Sequence, residues 1–391
     1  MRVRSIITLN DLGKDKIYVD IKKEAKEILK QKIRDNFKTY KNFSKYLNLK
    51  LDRLSRNNDL LHFFGGHKVR LNFVKKIVSP FSELGGDFIK KNLYKIGSRR
   101  GNSDIYNPKF PFEFDNKSGI RFISAILHDG GISKDLETSY RNNNKALRRK
   151  VVQSAKDIFG ELKYYENRSL IKFPKFIGVV LKRLGLKEGK KVFTNPKIPK
   201  FIFKSNLENK ALFLRQAFDD ESCVPKPNRK YITLGLHIDV TKQKRIPNLI
   251  NGLKKLLEEF GIVVTGPYLE REYKIKNNLR QRWNINIYGR KYLEIFYNKI
   301  GFTIKKKRDR LKKILEAYKT GTYSLLKNQR YKESLDILFK NYKNKHFTIK
   351  QATEILNLDY HYTKQLIWKM ERENFVIRDY IKDRNVNFYF K

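Results

Sequence analysis

The chain has 391 residues, of which 40% are hydrophobic, enough to build the cores of two or three domains and too many for a disordered chain. Its 87 Lys and Arg against 40 Asp and Glu leave a formal charge of +47, far more than solubility requires, so a polyanionic partner is expected. The single cysteine, Cys223, excludes an intramolecular disulfide and a Cys-rich zinc module. With no transmembrane-length apolar run and no signal-peptide core in Met1 to Asn10, a soluble, cytoplasmic protein of a prokaryotic-like host is expected.

A field of this size concentrates phosphate backbones and makes binding salt-dependent through counterion release, but carries no sequence specificity. Codon bias toward lysine is the alternative source of the charge. Such bias usually raises glutamate along with lysine and leaves the net charge small.

From about Ile21 to Val78 the apolar spacing is helical: Ala25, Ile28, Leu29, Ile33, then Phe43, Tyr46, Leu47, Leu51, Leu54, and finally Leu71, Val74 and Ile77. The stretch Lys41 to Leu49 resembles the first helix and turn of a repressor-like helix-turn-helix, with Lys50 to Asn57 as its recognition helix. A helical bundle packing on the rest fits the same pattern. An N-terminal helical, helix-turn-helix-like domain over residues 1–97 is expected.

A loop rich in Gly, Ser, Pro and Asn runs from Gly97 to Pro111, and a new domain begins after it. In the next stretch one pattern of elements occurs twice, as expected where a pseudo-symmetric dimer has been fused. First, an apolar helix around Phe122 to Ile132 leads to a helical run Asn144 to Phe159, a strand-like Leu162 to Phe173 and a helix Lys175 to Leu184. Then Leu212 to Ser222 is followed by the alternating Tyr231 to Asp239, a helix Ile246 to Phe260, the strand-like Trp283 to Tyr288 and a helix Lys291 to Ile300. The expected fold class is α+β, with two pseudo-symmetric αββαββα units over residues 98–205 and 206–303.

Lys305 to Lys313 reads as a basic linker helix, within 304–330. Three helices and a hairpin follow in 331–391, resembling a winged helix with Asp383-Arg-Asn385 as the wing tip; a plain helical end fits too.

Ile123-Ser-Ala-Ile-Leu-His-Asp-Gly-Gly131 and Leu214-Arg-Gln-Ala-Phe-Asp-Asp-Glu-Ser222 resemble the two signature motifs of LAGLIDADG homing endonucleases of the single-chain kind, over roughly Asn107 to Phe302. The resemblance implies two helices packed through small residues (Ser124 and Ala125 in the first), a saddle of antiparallel sheets, and one acid from each helix end at a shared cleavage centre. Those acids are Asp129 and Glu221. Ser222 and Gln216 depart from the motif, where Gly and a small residue are usual. An ungapped alignment would place Gly130 opposite Glu221, but the residues after Asp129 favour pairing Asp129 with Glu221.

An apolar helix ending in a carboxylate projects a hard oxygen ligand, and two such groups together suit Mg²⁺, with Mn²⁺ as substitute. The resemblance further implies catalytic cations: Lys172 in the first unit, and Arg290 or Lys291 in the second. It implies double-stranded DNA as partner, a monomer with internal twofold pseudosymmetry, and readout from the sheets by Arg141, Asn143, Lys163, Lys230, Thr233, His237, Lys274, Arg280, Arg282 and Asn284. His128 reads as a structural neighbour of the acids rather than a ligand.

Metal-dependent double-strand cleavage is thus the first reading, free-standing because no catalytic Cys opens the sequence and no His-Asn pair ends it. The other readings are a non-catalytic transcription regulator or RNA-splicing maturase built on this fold, and a structural nucleoid protein without sequence preference. Two buried helices with incidental acidic ends would make the motifs meaningless.

Overall fold

The computed structural model describes all residues except 1–4, 13–15, 50–58, 99–102, 224–229, 242–244, 320–328, 343–345, 382–385 and 391. The chain divides into two compact units, Met1–Asp309 and Arg310–Lys391.

The first unit opens with β1 (Ile6–Ile7), β2 (Tyr18–Ile21), α1 (Lys23–Phe37), α2 (Tyr40–Tyr46), α3 (Asp59–Phe64), β3 (Val69–Arg70), α4 (Leu71–Val78), α5 (Phe88–Asn92) and β4 (Leu93–Gly97). Ala25, Leu29 and Ile33 of α1 and Leu71, Val74 and Ile77 of α4 are buried at helical spacing, as the periodicity required. The expectation of an all-helical segment ending at 97 is corrected. Strands β3, β2 and β4 join β5 (Ile105–Tyr106) and β9 (Glu161–Leu162) in one five-stranded sheet that continues across that boundary. Runs of two to five residues are too short to register as alternation beside long helices. The expected recognition helix Lys50 to Asn57 lies outside the described residues.

After β6 (Phe112–Glu113) come α6 (Lys117–Leu127), β7 (Gly130–Ile132), β8 (Thr138–Arg141), α7 (Lys145–Phe159), then β9, β10 (Tyr165–Asn167), β11 (Leu170–Phe173) and α8 (Lys175–Arg183). Asn144 caps α7 by accepting from Leu147 N at 3.1 Å, and Gly160 ends it with φ 105°. Short helices α9 (Lys191–Thr194) and α10 (Lys200–Lys204) lead to α11 (Leu207–Glu221), β12 (Ser222–Cys223), β13 (Tyr231–Asp239), α12 (Asn248–Glu258), β14 (Thr265–Ile275), β15 (Asn278–Tyr288) and α13 (Arg290–Ile295), continued by a π-helical turn, Phe296–Ile300. With β9 set aside in the other sheet, helix, two strands, helix, two strands and helix occur twice, in an α+β arrangement.

Each repeat forms a four-stranded antiparallel sheet, ordered β10-β11-β8-β7 in the first and β12-β13-β15-β14 in the second. In the second sheet Ile232, Leu234, Ile238, Ile285 and Ile287 are buried on the face against the helices, which leaves the polar alternate residues on the other face. Strand β14 was missed because Tyr268-Leu-Glu-Arg-Glu-Tyr-Lys274 carries charge on both faces.

Helix α14 (Lys305–Lys319) runs from one unit into the next. The second unit holds α15 (Gln329–Asn341), α16 (Ile349–Leu356), α17 (Tyr360–Arg372), and the hairpin β16 (Ile377–Ile381) with β17 (Val386–Phe390). Leu338, Phe347, Ala352, Ile367, Met370 and Tyr389 form its core. The expected wing tip Asp383 to Asn385 lies outside the described residues.

Candidate active site and sheet face

Helices α6 and α11 pack side by side, and Ser124 Oγ on α6 donates to Phe213 O on α11 at 2.8 Å. Ser124 and Ala125 are fully buried, so small side chains let the two backbones approach. Asp129 immediately precedes β7 and Glu221 immediately precedes β12. The two acids therefore each stand directly before the first strand of their repeat, the places that the Asp129–Glu221 pairing expects of them.

Gly130 is dictated by this geometry. A Cβ there would lie 2.7 Å from both Ile126 Cα and Ser139 O, so only glycine follows Asp129 where the strand turns back on its helix. The corresponding Ser222 is tolerated: it is buried, and its Oγ donates to Phe218 O at 2.5 Å.

A third acid, unassigned from sequence, joins the cluster. Asn142 Nδ2 donates to Asp129 Oδ2 at 2.7 Å and to Asp220 Oδ1 at 3.2 Å, linking the repeats. Asp220 also accepts from Tyr140 Oη at 2.8 Å and from Gln216 Nε2 at 3.0 Å. Gln216, out of place by the motif, is thus one of three side chains that hold this carboxylate.

Burial, and then the charge of Asp129, raises the Asp220 carboxyl well above the usual range. Burial raises Asp129 against the pull of Asn142. Glu221 is pushed up to about 7 by burial and by Asp129, despite the opposing charges of Lys191, Lys307 and Arg282.

Two lysines that sequence reasoning missed lie at the helix ends. Lys191 Nζ, on α9 between the repeats, donates to Leu127 O at 3.1 Å. Its pKa is lowered by burial and held up by Glu221, Asp129 and Asp220. With Glu221 and His237 it lines a cleft of about 160 Å³. Lys307 Nζ, on α14, donates to Phe218 O at 2.9 Å, Asp219 O at 2.7 Å and Ser222 O. Asp219 meanwhile accepts from the backbone N–H of Thr303 and Ile304, at 2.9 and 3.1 Å. Among 87 basic residues neither lysine carried a local signal.

The cations expected from sequence have local partners of their own. Lys172 pairs with Glu137 at 3.0 Å and shares the open sheet face with Ser139 and Arg141, opposite the face from which Tyr140 reaches Asp220. Arg290 is exposed and pairs with Glu294 at 2.8 Å, and Lys291 is exposed beside Tyr292. His128 is buried, with Nδ1 donating to Ser124 O at 2.7 Å; burial lowers its pKa to about 3. It directly precedes Asp129 in the chain.

Of the expected readout residues, Thr233, His237, Arg280, Arg282 and Asn284 share the polar face of the second sheet, since Thr233 pairs with Asn286, Gly235 with Asn284, His237 with Arg282 and Asp239 with Arg280. Tyr268, Arg271 and Tyr273 of β14 complete this face. Three placements are corrected. Lys274 pairs with Leu279 and lies on the opposite face, because the bulges in β14 shift its alternation. Asn284 is 2% exposed beneath its neighbours. Lys163 lies in the link between β9 of the five-stranded sheet and β10 of the first repeat's sheet, within neither strand, and its Nζ sits over the Tyr106 ring. Arg141, the last residue of β8, and Asn143 just after it are exposed, and Lys230 directly precedes β13.

Paired repeats with apposed helices and acids at their shared ends define a fused-repeat protein with one composite acidic centre. Residues 208–301 match the family model for a LAGLIDADG-like domain. The chain is also 28% identical over 128 residues to a tRNA-splicing ligase RtcB of Methanopyrus kandleri, covering 32% of this chain and 12% of that protein. It is 27% identical over 172 residues to a glutamine–fructose-6-phosphate aminotransferase (isomerizing) of Methanocaldococcus jannaschii, covering 42% of this chain and 15% of that one. The chain thus spans a small part of the length of these curated relatives.

Proposed function

We propose that the chain is a site-specific double-stranded DNA endonuclease of the LAGLIDADG homing type, making a metal-dependent double-strand break. The observation that carries this is the correspondence of Asp129 and Glu221, each placed directly before the first strand of its repeat beside a common cluster. A net charge of +47 and a sheet face bearing Arg271, Arg280 and Arg282 support DNA as the partner. The ligase and the aminotransferase differ in chemistry and share only a small fraction of their length with this chain. That pattern favours a module carried by unrelated hosts over either named activity.

The donor set fits Mg²⁺ in part. Asp129 and Glu221 offer hard oxygens whose negative charges repel each other, but among the described residues no group of three or more His, Cys, Asp or Glu is placed to hold a metal ion. Phosphate oxygens and water would complete the shell. When bound, the ion would acidify the attacking water and stabilise the leaving 3′ oxygen.

The remaining steps belong to the protein. Asn142 orients Asp129, while Tyr140 and Gln216 hold Asp220. Lys191 places a positive charge beside Glu221, where it would offset charge developing on the phosphate. Lys307 ties down the end of α11, so Glu221 is presented from a fixed backbone. The polar sheet face would read base edges, with His237 lining the cleft together with Glu221 and Arg282 paired opposite His237 on the neighbouring strand.

A non-cutting regulator or maturase is the second reading, favoured by the serine in place of glycine at 222 and by the helices and hairpin of the second unit. Selection of cleaved sites from a randomised DNA library with Mg²⁺, against the same library with EDTA, separates the two. Enriched metal-dependent ends support cutting; specific binding without cut ends supports the regulator.

A further inference from the structure

Behind the acid centre, where the paired helices begin, lies a pocket of about 540 Å³. Its lining includes Lys117 and Arg121 of α6, Arg215 of α11, and Lys299. Two acids also line it, Glu208 and Glu259, and both are engaged: Glu208 pairs with Lys117 at 2.6 Å, and Glu259 pairs with Lys210. The nearby Asp157 accepts from Ser118 and Gln153.

Arg121 and Arg215 are both half-buried, and among the described residues neither forms an ion pair. Their contacts are neutral: Arg121 Nη1 donates to Ser154 Oγ at 3.5 Å and Arg215 Nε to Ile300 O at 2.5 Å. Most of each guanidinium fork is left for another acceptor. Burial, followed by the charge of Arg215, weakens the hold of Arg121 on its proton, and Lys150 nearby is depressed by burial and by both arginines. A like-charged pair at the junction of two helices is destabilising until an anion joins it.

We infer that this pocket is an anion site in which Arg121 and Arg215 clamp a phosphoryl group between α6 and α11. Arg121 precedes Asp129 by eight residues and Arg215 precedes Glu221 by six, so the clamp lies roughly 9–12 Å behind the acids along the helices. It is therefore separate from the acid centre and stands whether or not the chain cuts DNA. The ligand class is a small phosphoryl anion, free as pyrophosphate or carried on a nucleic-acid backbone. Paired forks suit phosphate oxygens better than point-like ammonium groups would.

The test is calorimetric titration of the full chain with pyrophosphate at constant ionic strength, using wild type, Arg121→Gln, Arg215→Gln and the exposed control Lys255→Gln. Saturable binding to wild type and control, weakened about tenfold or more in both arginine variants, is expected. A parallel titration with a short duplex separates the sources. Unchanged duplex affinity in both variants assigns the site to free anions, and a matching loss assigns it to the backbone. The variants must also fold: relief of the like charge is expected to leave their thermal midpoints at or above that of wild type without anion. Equal pyrophosphate affinity in all four proteins, with equal duplex affinity, would overturn the inference.

Discussion

Tyr140 and Asp220, 80 residues apart and in different repeats, are joined by a 2.8 Å hydrogen bond in which the phenol donates to the carboxylate. The bond locks the first sheet to the acidic end of α11. Tyr140→Phe keeps the packing and removes the donor, leaving Asp220 with Gln216 and Asn142 alone. Urea unfolding is expected to show a loss of about 1–3 kcal/mol. An unchanged midpoint would mean that the bond contributes nothing to holding the repeats together.

His128 makes stability depend on pH. Its folded pKa of about 3 lies below the usual value of 6.5, so the unfolded chain binds the extra proton between those two values. The stability from burying neutral histidine is complete above about pH 6.5 and is lost as pH falls toward 3. Asp129, Asp220 and Glu221, with raised values, act in the opposite sense, so wild type must be compared with His128→Leu in EDTA. Between pH 6.5 and 4 wild type is expected to lose about 3 kcal/mol more than the variant, in order of magnitude.

The two lysines at the helix ends separate into different roles. Lys307 satisfies three carbonyls, so Lys307→Met is expected to lower unfolding stability by about 2 kcal/mol. Lys191 donates one hydrogen bond to backbone but faces Glu221, so Lys191→Met is expected to slow cleavage about a hundredfold with a smaller stability change. Denaturation curves and single-turnover cleavage rates on both variants check the division. Equal effects of the two substitutions on both readouts would contradict it.

Opposite faces of the second sheet give a test of base readout. Arg282→Ala removes a side chain from the polar face, and relaxed preference at one base pair is expected, at about 1–3 kcal/mol of discrimination. Lys274→Ala, from the other face, should leave preference intact and change affinity alike for all sequences. Binding measured on a panel of single-base variants at several salt concentrations distinguishes them. Altered preference on replacing Lys274 would refute the face assignment.

What could be read from the sequence followed its local signals. Asp129 was legible because Asp-Gly-Gly closes an apolar helix, and the helix ends at Asn144 and Gly160 announced themselves by residue type. Asp220, Asn142 and Tyr140 were not, because their importance lies in a contact between repeats that no spacing along the chain encodes. Lys191 and Lys307 were lost among many lysines. The five-stranded sheet was hidden because its strands are short and drawn from both sides of a loop-rich boundary.

Joint action of Asp129 and Glu221 at one cleavage centre is tested most directly by Asp129→Asn and Glu221→Gln on the selected DNA target with Mg²⁺. The expected result is cleavage slowed about a hundredfold or more in each variant, with target affinity in EDTA close to wild type. Wild-type cleavage by either variant would contradict joint action of the two acids.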